Sequence, residues 1–162
     1  LSRFSDAPGA FNFRLLATHT IENSTNLFGV VTDRVGETGG TGSPDWMGTL
    51  FLGYSVGGFQ GNVTTRYISS GVLNALYIDP SDEGYATATQ NTINDNSVDS
   101  VVYFNLNASY SFGQDGRFQV FGQVNNLLNE EPPSAPQLQF PSNPVYFDLV
   151  GRSYRAGIRF EF

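Results

Sequence analysis

The segment Val98–Phe112, with the sequence VDSVVYFNLNASYSF, carries the clearest structural signal in the chain. Apart from Ser100, apolar side chains recur at every second position, and polar side chains and Tyr103 fill most positions between them. The apolar set is Val98, Val102, Phe104, Leu106, Ala108, Tyr110 and Phe112. Because successive side chains of a strand point to opposite sides, a period of two predicts a β-strand with one apolar and one polar face.

Five further segments have the same period, at residues 11–21, 46–56, 59–70, 117–125 and 154–162. They predict an all-β, antiparallel fold whose strands are about 9 to 15 residues long. Strands in soluble sheets are usually ~5–6 residues long, and a tilted strand crosses a bilayer in ~9–11 residues. The apolar faces carry aromatic side chains near their ends, as membrane barrels do at both interfaces. The strands are therefore predicted to be transmembrane β-barrel strands.

The connections between these segments alternate in length. Residues 56–58 and 113–116 are short and rich in glycine, as in tight hairpin turns, whereas residues 24–44, 80–97 and 134–150 are long and polar. Outer-membrane barrels have short turns on the periplasmic side and long loops outside. Residues 27–32 and 72–78 are weak candidates for two more strands, so a complete eight-stranded barrel stays open as an alternative.

Composition narrows the functional classes. The 162 residues carry eight arginines, no lysine and 15 acidic residues, for a formal net charge of −7. This balance argues against a nucleic-acid partner, which requires a basic surface. The absence of cysteine excludes thiol catalysis, and the one histidine, His19, is expected to lie at the barrel rim. We expect no enzyme activity, no cofactor and no metal site, because the acidic residues near position 80 match no calcium-loop spacing.

The C-terminal strand ends in a pattern that resembles the β-signal read by the barrel assembly machinery. Arg155, Gly157, Phe160 and Phe162 stand at the positions of the polar residue, the glycine, the aromatic residue and the final Phe of that signal. Such a strand can pair with an exposed sheet edge while alternate side chains enter apolar pockets. The barrel assembly machinery is therefore an expected partner.

The last ~65 residues resemble the C-terminal barrel of TonB-dependent outer-membrane receptors. The similar pieces, in the family's order and spacing, are Val98–Phe112, Val124–Asn129 with the following Glu-Glu-Pro-Pro, Tyr146–Asp148, and Gly151–Phe162. The resemblance implies a 22-stranded barrel filled by a plug domain. Residues 1–162 would supply its last six strands, and the plug domain and TonB box are absent from this chain.

The resemblance also implies a function. Such receptors take up a scarce ligand, such as a ferric siderophore, cobalamin or an oligosaccharide, and TonB supplies the energy through the plug. The expected location is the outer membrane of a Gram-negative bacterium. The expected partners are the plug and the other barrel strands, the TonB complex acting through the plug, and outer-membrane lipid and lipopolysaccharide.

Strand parity assigns side chains to the two sides of such a barrel. Phe104, Leu106, Ile158 and Phe160 are expected to face lipid. The lumen-facing candidates are Arg14, Arg66, Asn105, Arg117, Arg155 and Arg159. These arginines would contact an anionic ligand, a plug carboxylate, or wall carboxylates such as Glu22 and Glu161, and pairing is favoured for Arg117 and Arg159. Ligand-binding candidates in the outer loops are Tyr85, Gln137, Phe140, Tyr146 and Phe147.

Two alternatives come from different functional classes. The first is a small autonomous outer-membrane barrel with an adhesive or structural role. The second is a soluble, carbohydrate-binding β-sandwich, in which the apolar faces of two sheets would pack against each other.

Overall fold

The computed structural model describes residues 8–136 and 139–161 and is built from antiparallel β-sheets. The strands are β1 (Ala10–His19), β2 (Ser24–Leu27), β3 (Val30–Asp33), β4 (Trp46–Val56), β5 (Phe59–Ile68), β6 (Gly71–Val72), β7 (Ser97–Val98), β8 (Val101–Phe112), β9 (Phe118–Asn125) and β10 (Ser153–Phe160). Short 3-10 turns lie at Tyr85–Thr87 and Gln114–Gly116. No helix in the described ranges has the length and apolar character needed to cross a membrane.

Six strands form one large antiparallel sheet in the order β1-β4-β5-β8-β9-β10. These are the six strands that the sequence predicts, and each pairs with the next predicted strand along the chain. The all-β, antiparallel prediction is thereby confirmed. Within the described residues the sheet stays open and no barrel closes, so β1 and β10 each have one neighbour and one unpaired edge.

The strands are shorter than the sequence suggested. The six strands of the large sheet contain 8 to 12 residues, because the chain leaves the sheet before the alternating pattern in the sequence ends. The predicted fourth strand begins at Val98, for example, but Val98 pairs with Gly71 in the small β6–β7 sheet, and β8 begins at Val101. The weak candidate at 27–32 forms the β2–β3 hairpin, which pairs only with itself and adds nothing to the large sheet.

The predicted tight turns are present between β4 and β5 and between β8 and β9. Gly57 has a φ of 54° in the first turn, and Gly113 and Gly116 have φ values of 85° and 74° in the second. Residues without a Cβ atom adopt this left-handed region at little cost. The loops at the opposite end of the sheet, residues 20–45, 69–100 and 126–152, are the long ones. We call these loop A, loop B and loop C.

The register places the apolar parity of every strand on one side of the sheet, which we call the apolar face. One row across four strands is Phe13, Leu52, Val63 and Leu106, and the row continues through Val124 and Tyr154. Phe13 is 67% exposed and Ile158 is 61% exposed. Within the described residues, no second sheet covers this face. The packing of two apolar faces that a β-sandwich requires is therefore absent from this part of the chain.

Aromatic rings run along the turn end of the apolar face. Contacts link Phe11 to Tyr54 and Tyr54 to Phe59 across β1, β4 and β5, with ring centroids 4.6 and 6.4 Å apart. On the same face, across β8, β9 and β10, Phe112, Phe118 and Phe160 form a second chain of contacts at 5.5 and 5.6 Å. At the loop end, His19 stacks on Trp46 at 4.3 Å. The apolar face thus has aromatic residues at both ends, as the sequence predicted.

The buried core lies on the opposite side, which we call the polar face, at the loop end of the sheet. Ile68, Val101 and Tyr103 extend from β5 and β8 on this side, and Val98, Ala135 and Phe147 from loops B and C pack with them. Loops B and C therefore fold inward over the polar face, and backbone hydrogen bonds between Thr38 or Gly36 and Val72 join loop A to loop B. We call this packed layer the loop cap.

Candidate functional site

The polar face holds the arginines that the sequence assigned to a lumen. In the observed register Arg14, Arg66, Arg155 and Arg159 all lie on this face, and Asn105 lies beside Thr64 in the same layer. Arg117 precedes β9, and its carbonyl accepts a hydrogen bond from the Glu161 amide at 3.0 Å. The shared face follows from the period of two and requires no tertiary information.

The six long strands contain four arginines and no aspartate or glutamate. Two ion pairs occur among the described residues, His19–Asp45 and Arg34–Glu37, and both lie outside the polar face. Arg117 and Arg159 line one small recess together with Glu161, yet neither is ion-paired with that carboxylate in the structure described. The polar face is therefore positively charged, whereas the chain as a whole is acidic.

Arg66 is the most constrained of these arginines. Its guanidinium donates a hydrogen bond to the Tyr146 carbonyl at 2.7 Å and lies 5.2 Å above the Tyr103 ring. The register explains this placement, because Leu16, Thr49, Arg66 and Tyr103 occupy one row across β1, β4, β5 and β8. Arg66 thus stands at the boundary between the sheet and loop C.

Glu37 of loop A anchors the loop cap. Its side chain is fully buried and accepts hydrogen bonds from Arg34 Nη1 at 2.6 Å, the Thr41 amide at 2.9 Å and the Gly42 amide at 3.3 Å. It also accepts a bond from the Ala75 amide of loop B at 3.0 Å. A buried carboxylate needs this number of donors, because an unpaired charge inside a protein is very costly.

Loop C joins the same assembly through Asn143 and Tyr146. The Asn143 side chain donates to the Thr38 carbonyl at 2.8 Å, and the Tyr146 hydroxyl donates to the Gly42 carbonyl at 2.8 Å. Burial raises the pKa of Tyr146 above its ordinary value, so the hydroxyl stays a donor throughout the neutral range. The three loops are consequently one hydrogen-bonded layer.

Asn126 shapes the exit from β9. It is buried with a φ of 49°, its amide donates to Asn105 Oδ1 at 2.8 Å, and its side chain bonds both backbone groups of Glu130. Asparagine adopts the left-handed region more readily than most residues and can replace backbone partners. Asn105, a lumen-facing candidate, therefore holds this turn in the observed structure.

The loop residues proposed for ligand contact lie in different environments. Tyr85 sits partly exposed in a 3-10 turn, and Phe140 is 48% exposed. Tyr146 is half-buried within the loop cap, and Phe147 is 3% exposed and belongs to the core, so its ring is closed to a ligand in this arrangement. Gln137 lies outside the described residues. The structure does not bring the four described candidates together at one recess.

The residues of the assembly pattern occupy β10, apart from Phe162, which lies outside the described residues. Gly157 pairs directly with Phe121 of β9, and a Cβ atom on Gly157 would approach the Phe121 ring to 2.5 Å. The ring therefore covers the glycine backbone, and the glycine makes room for it. Phe160 lies on the apolar face and contacts Phe118.

Several other polar side chains form local ion pairs or hydrogen bonds. His19 pairs with Asp45 at 3.0 Å at the loop end of β1. Hydrogen bonds from the side chain and backbone of Ser81 lower the pKa of Asp79, and Ser97 lowers that of Asp95 in the same way. Within the described residues, no group of three or more His, Cys, Asp or Glu side chains is arranged to hold a metal ion.

Sequence reasoning missed Glu37, Asn143 and the whole loop cap. A glutamate within Gly36–Gly42, a stretch with four glycines, was a usable signal, because glycine-rich turns expose backbone amides that a carboxylate can accept. Comparison with known proteins finds no match to any family model, curated protein or solved structure.

Proposed function

We propose that this chain forms the C-terminal part of the β-barrel of a TonB-dependent receptor in a Gram-negative outer membrane. In this proposal the apolar face contacts lipid, and the polar face lines the lumen beside a plug domain. The receptor imports a scarce ligand such as a ferric siderophore, cobalamin or an oligosaccharide. Loops A, B and C lie outside the cell, and the tight turns lie in the periplasm.

One observation carries the proposal: the loops cover the polar face at the loop end of the large sheet, whereas the apolar face is bare throughout the described residues. In a soluble protein the exposed apolar area would be unfavourable, by about 25 cal/mol for each Å² in contact with water. In a membrane the same face is solvated by hydrocarbon, and aromatic residues at both ends match the interfaces. The open edges of β1 and β10 support a segment of a wider barrel, since unpaired backbone groups are excluded from lipid.

The structure gives the two alternatives less support. The hairpin that could have completed an eight-stranded barrel pairs with itself, and an apolar layer opposite the apolar face is missing from the described residues. A barrel of six strands is smaller than the eight-stranded minimum of bacterial outer-membrane barrels. Further strands are thus part of the proposal.

Spin labels test the membrane placement. Labels at Leu106 and Ile158 should be quenched by oxygen, which dissolves in lipid, and labels at Asn105 and Arg155 by a water-soluble nickel chelate. Leu106 and Asn105 are adjacent in β8, and Ile158 and Arg155 lie three residues apart in β10, so each strand carries one label of each set. Reversed parity, or equal access to both quenchers, would contradict the proposal.

Energised uptake tests the receptor function separately. In cells that produce the chain, deletion of β9 and β10 should stop accumulation of ferric chelates, cobalamin or oligosaccharide, and so should a protonophore. Diffusion of a small sugar through general porins is the control and should continue. Uptake that persists after the deletion would exclude this chain as part of the transporter.

A further inference from the structure

A recess of about 270 Å³ lies between the polar face and loop C, at the end of the sheet formed by β1, β4 and β5. Its floor contains Leu16, Thr49 and Arg66 from one row of the register, with Met47 from the next row. Val145 and Tyr146 of loop C form its roof. The recess combines an apolar wall with a single cation.

Arg66 is held in place but is not neutralised. One guanidinium nitrogen donates to the Tyr146 carbonyl, and the group lies against the Tyr103 ring, which is 3% exposed. No carboxylate of the described residues forms an ion pair with it. A guanidinium has five N–H donors in a planar fork, so donors remain for a ligand. Its position is fixed in advance, which lowers the entropy lost on binding.

Asp148 also lies near Arg66, but on the side of Arg66 away from this recess. It lines a separate recess with Arg66 and Tyr103, and its carboxylate accepts from the Val150 amide at 2.9 Å and from Asn126 Nδ2 at 3.3 Å. Each of its two oxygens therefore accepts a local hydrogen bond, and Asp148 is absent from the lining of the recess under Val145.

We infer that this recess binds a small monocarboxylate with an apolar body, its carboxylate on Arg66 and its body against Leu16, Met47 and Val145. The planar fork of arginine matches a carboxylate in a bidentate arrangement. A single cation matches a single negative charge, whereas a phosphate dianion would need a second cation. The inference goes beyond the transport proposal and does not depend on the membrane.

Benzoate is a suitable probe, and benzamide, which has nearly the same shape without the charge, is its matched control. We would titrate both into the full chain and follow the Arg66 Nε–Hε and Tyr146 amide NMR signals. The medium is micelle or plain buffer, whichever gives the spectrum of the large sheet. Failure of the membrane proposal therefore leaves this test intact. We expect saturable benzoate binding, at least tenfold tighter than benzamide binding.

Substitutions locate the site. Arg66→Gln should weaken benzoate binding at least tenfold, and Arg66→Lys, which keeps the charge and a donor for Tyr146, should weaken it less. Arg152→Gln removes an exposed arginine of loop C, outside the recess, and should leave binding unchanged. Val145→Trp keeps every contact of Arg66 but fills the mouth, so it should abolish binding even if Arg66→Gln disturbs the loop cap.

Three results would overturn the inference. The first is equal affinity for benzoate and benzamide, which would mean that charge plays no part. The second is an equal effect of Arg66→Gln and Arg152→Gln, or full binding by Val145→Trp. The third is displacement of benzoate by inorganic phosphate at the same concentration, which would show a general anion site instead of a monocarboxylate site.

Discussion

At the residue scale, Glu37 shows how one charged side chain can organise a region without regular secondary structure. Its carboxylate joins loop A to loop B and is the only fully buried acidic side chain among the described residues. Glu37→Gln removes the charge and places an amide donor against backbone N–H donors. We expect a loss of about 2–4 kcal/mol in the free energy of unfolding, as for other buried charged partners.

Urea unfolding measures that loss, and hydrogen exchange at Thr41, Gly42 and Ala75 should accelerate together. Glu83→Gln, at an exposed position in loop B, is the control and should change stability by less than about 0.5 kcal/mol. Equal stability of the two variants would mean that the loop cap does not rely on Glu37.

Ser81 tests the electrostatics of loop B. Its hydroxyl and amide donate to Asp79 Oδ1 at 2.6 and 2.8 Å and lower the pKa of Asp79 below 3.8. Because this pKa is lower in the folded state than in the unfolded state, the ionised Asp79 stabilises the loop at pH values above the unfolded-state pKa. That contribution is lost as the pH falls through the folded-state pKa. Ser81→Ala should raise the pKa of Asp79 more than it changes that of Asp95, and Ser97→Ala should raise the pKa of Asp95 more than it changes that of Asp79, as an NMR titration would measure. Equal shifts of both carboxylates by either variant would contradict two local hydrogen-bonded pairs.

At the scale of the element, the Phe121 ring of β9 packs over the backbone of Gly157 in β10. Gly157→Val would push the Phe121 ring from its position and should destabilise the pair by about 1–3 kcal/mol, as for other overpacked sites. Amide exchange along β10 measures the effect. Phe121→Ala removes the obstacle, so the double variant should recover part of the loss. Additive effects of the two substitutions would show that the ring and the glycine are independent.

The strands are also the level at which sequence reasoning succeeds. Period-two alternation assigned Arg155 and Arg159 to one face and Ile158 to the other, because side-chain direction in a strand is a local property. Strand ends were less predictable. Val98 keeps the alternation but pairs with Gly71, since the choice between two partners depends on contacts between distant residues.

The loop cap could not be predicted for the same reason. The Asn143–Thr38 bond joins residues 105 positions apart, and no periodicity links them. Phe147 is an aromatic loop residue of the kind that often contacts ligands, but it fills the core where loop C crosses the sheet. The parity of Arg66 was predictable, whereas its recess was not, because loop C supplies the roof.

At the scale of the whole molecule, the proposed lipid contact predicts that a lysine destabilises the protein at one position of β8 and has little effect at the next. Leu106→Lys places a charge on the apolar face near the middle of the strand. In vesicles this should cost about 2–4 kcal/mol, as for charged residues at the bilayer midplane of barrels. Asn107→Lys, on the polar face, should cost little. Urea titration of the vesicle-bound protein compares them, and equal costs would argue against a lipid-facing apolar surface.

The two open edges affect how copies of the chain associate before they reach the proposed membrane. The edge of β10 can receive a strand and the edge of β1 can offer one, so copies can join end to end in a ribbon that never closes. Each added copy would extend the bare hydrocarbon-like side as well. For the proposed barrel segment we therefore expect premature folding in water to produce fibrous polymer, and folding in the membrane to require neighbouring strands that pair with both edges.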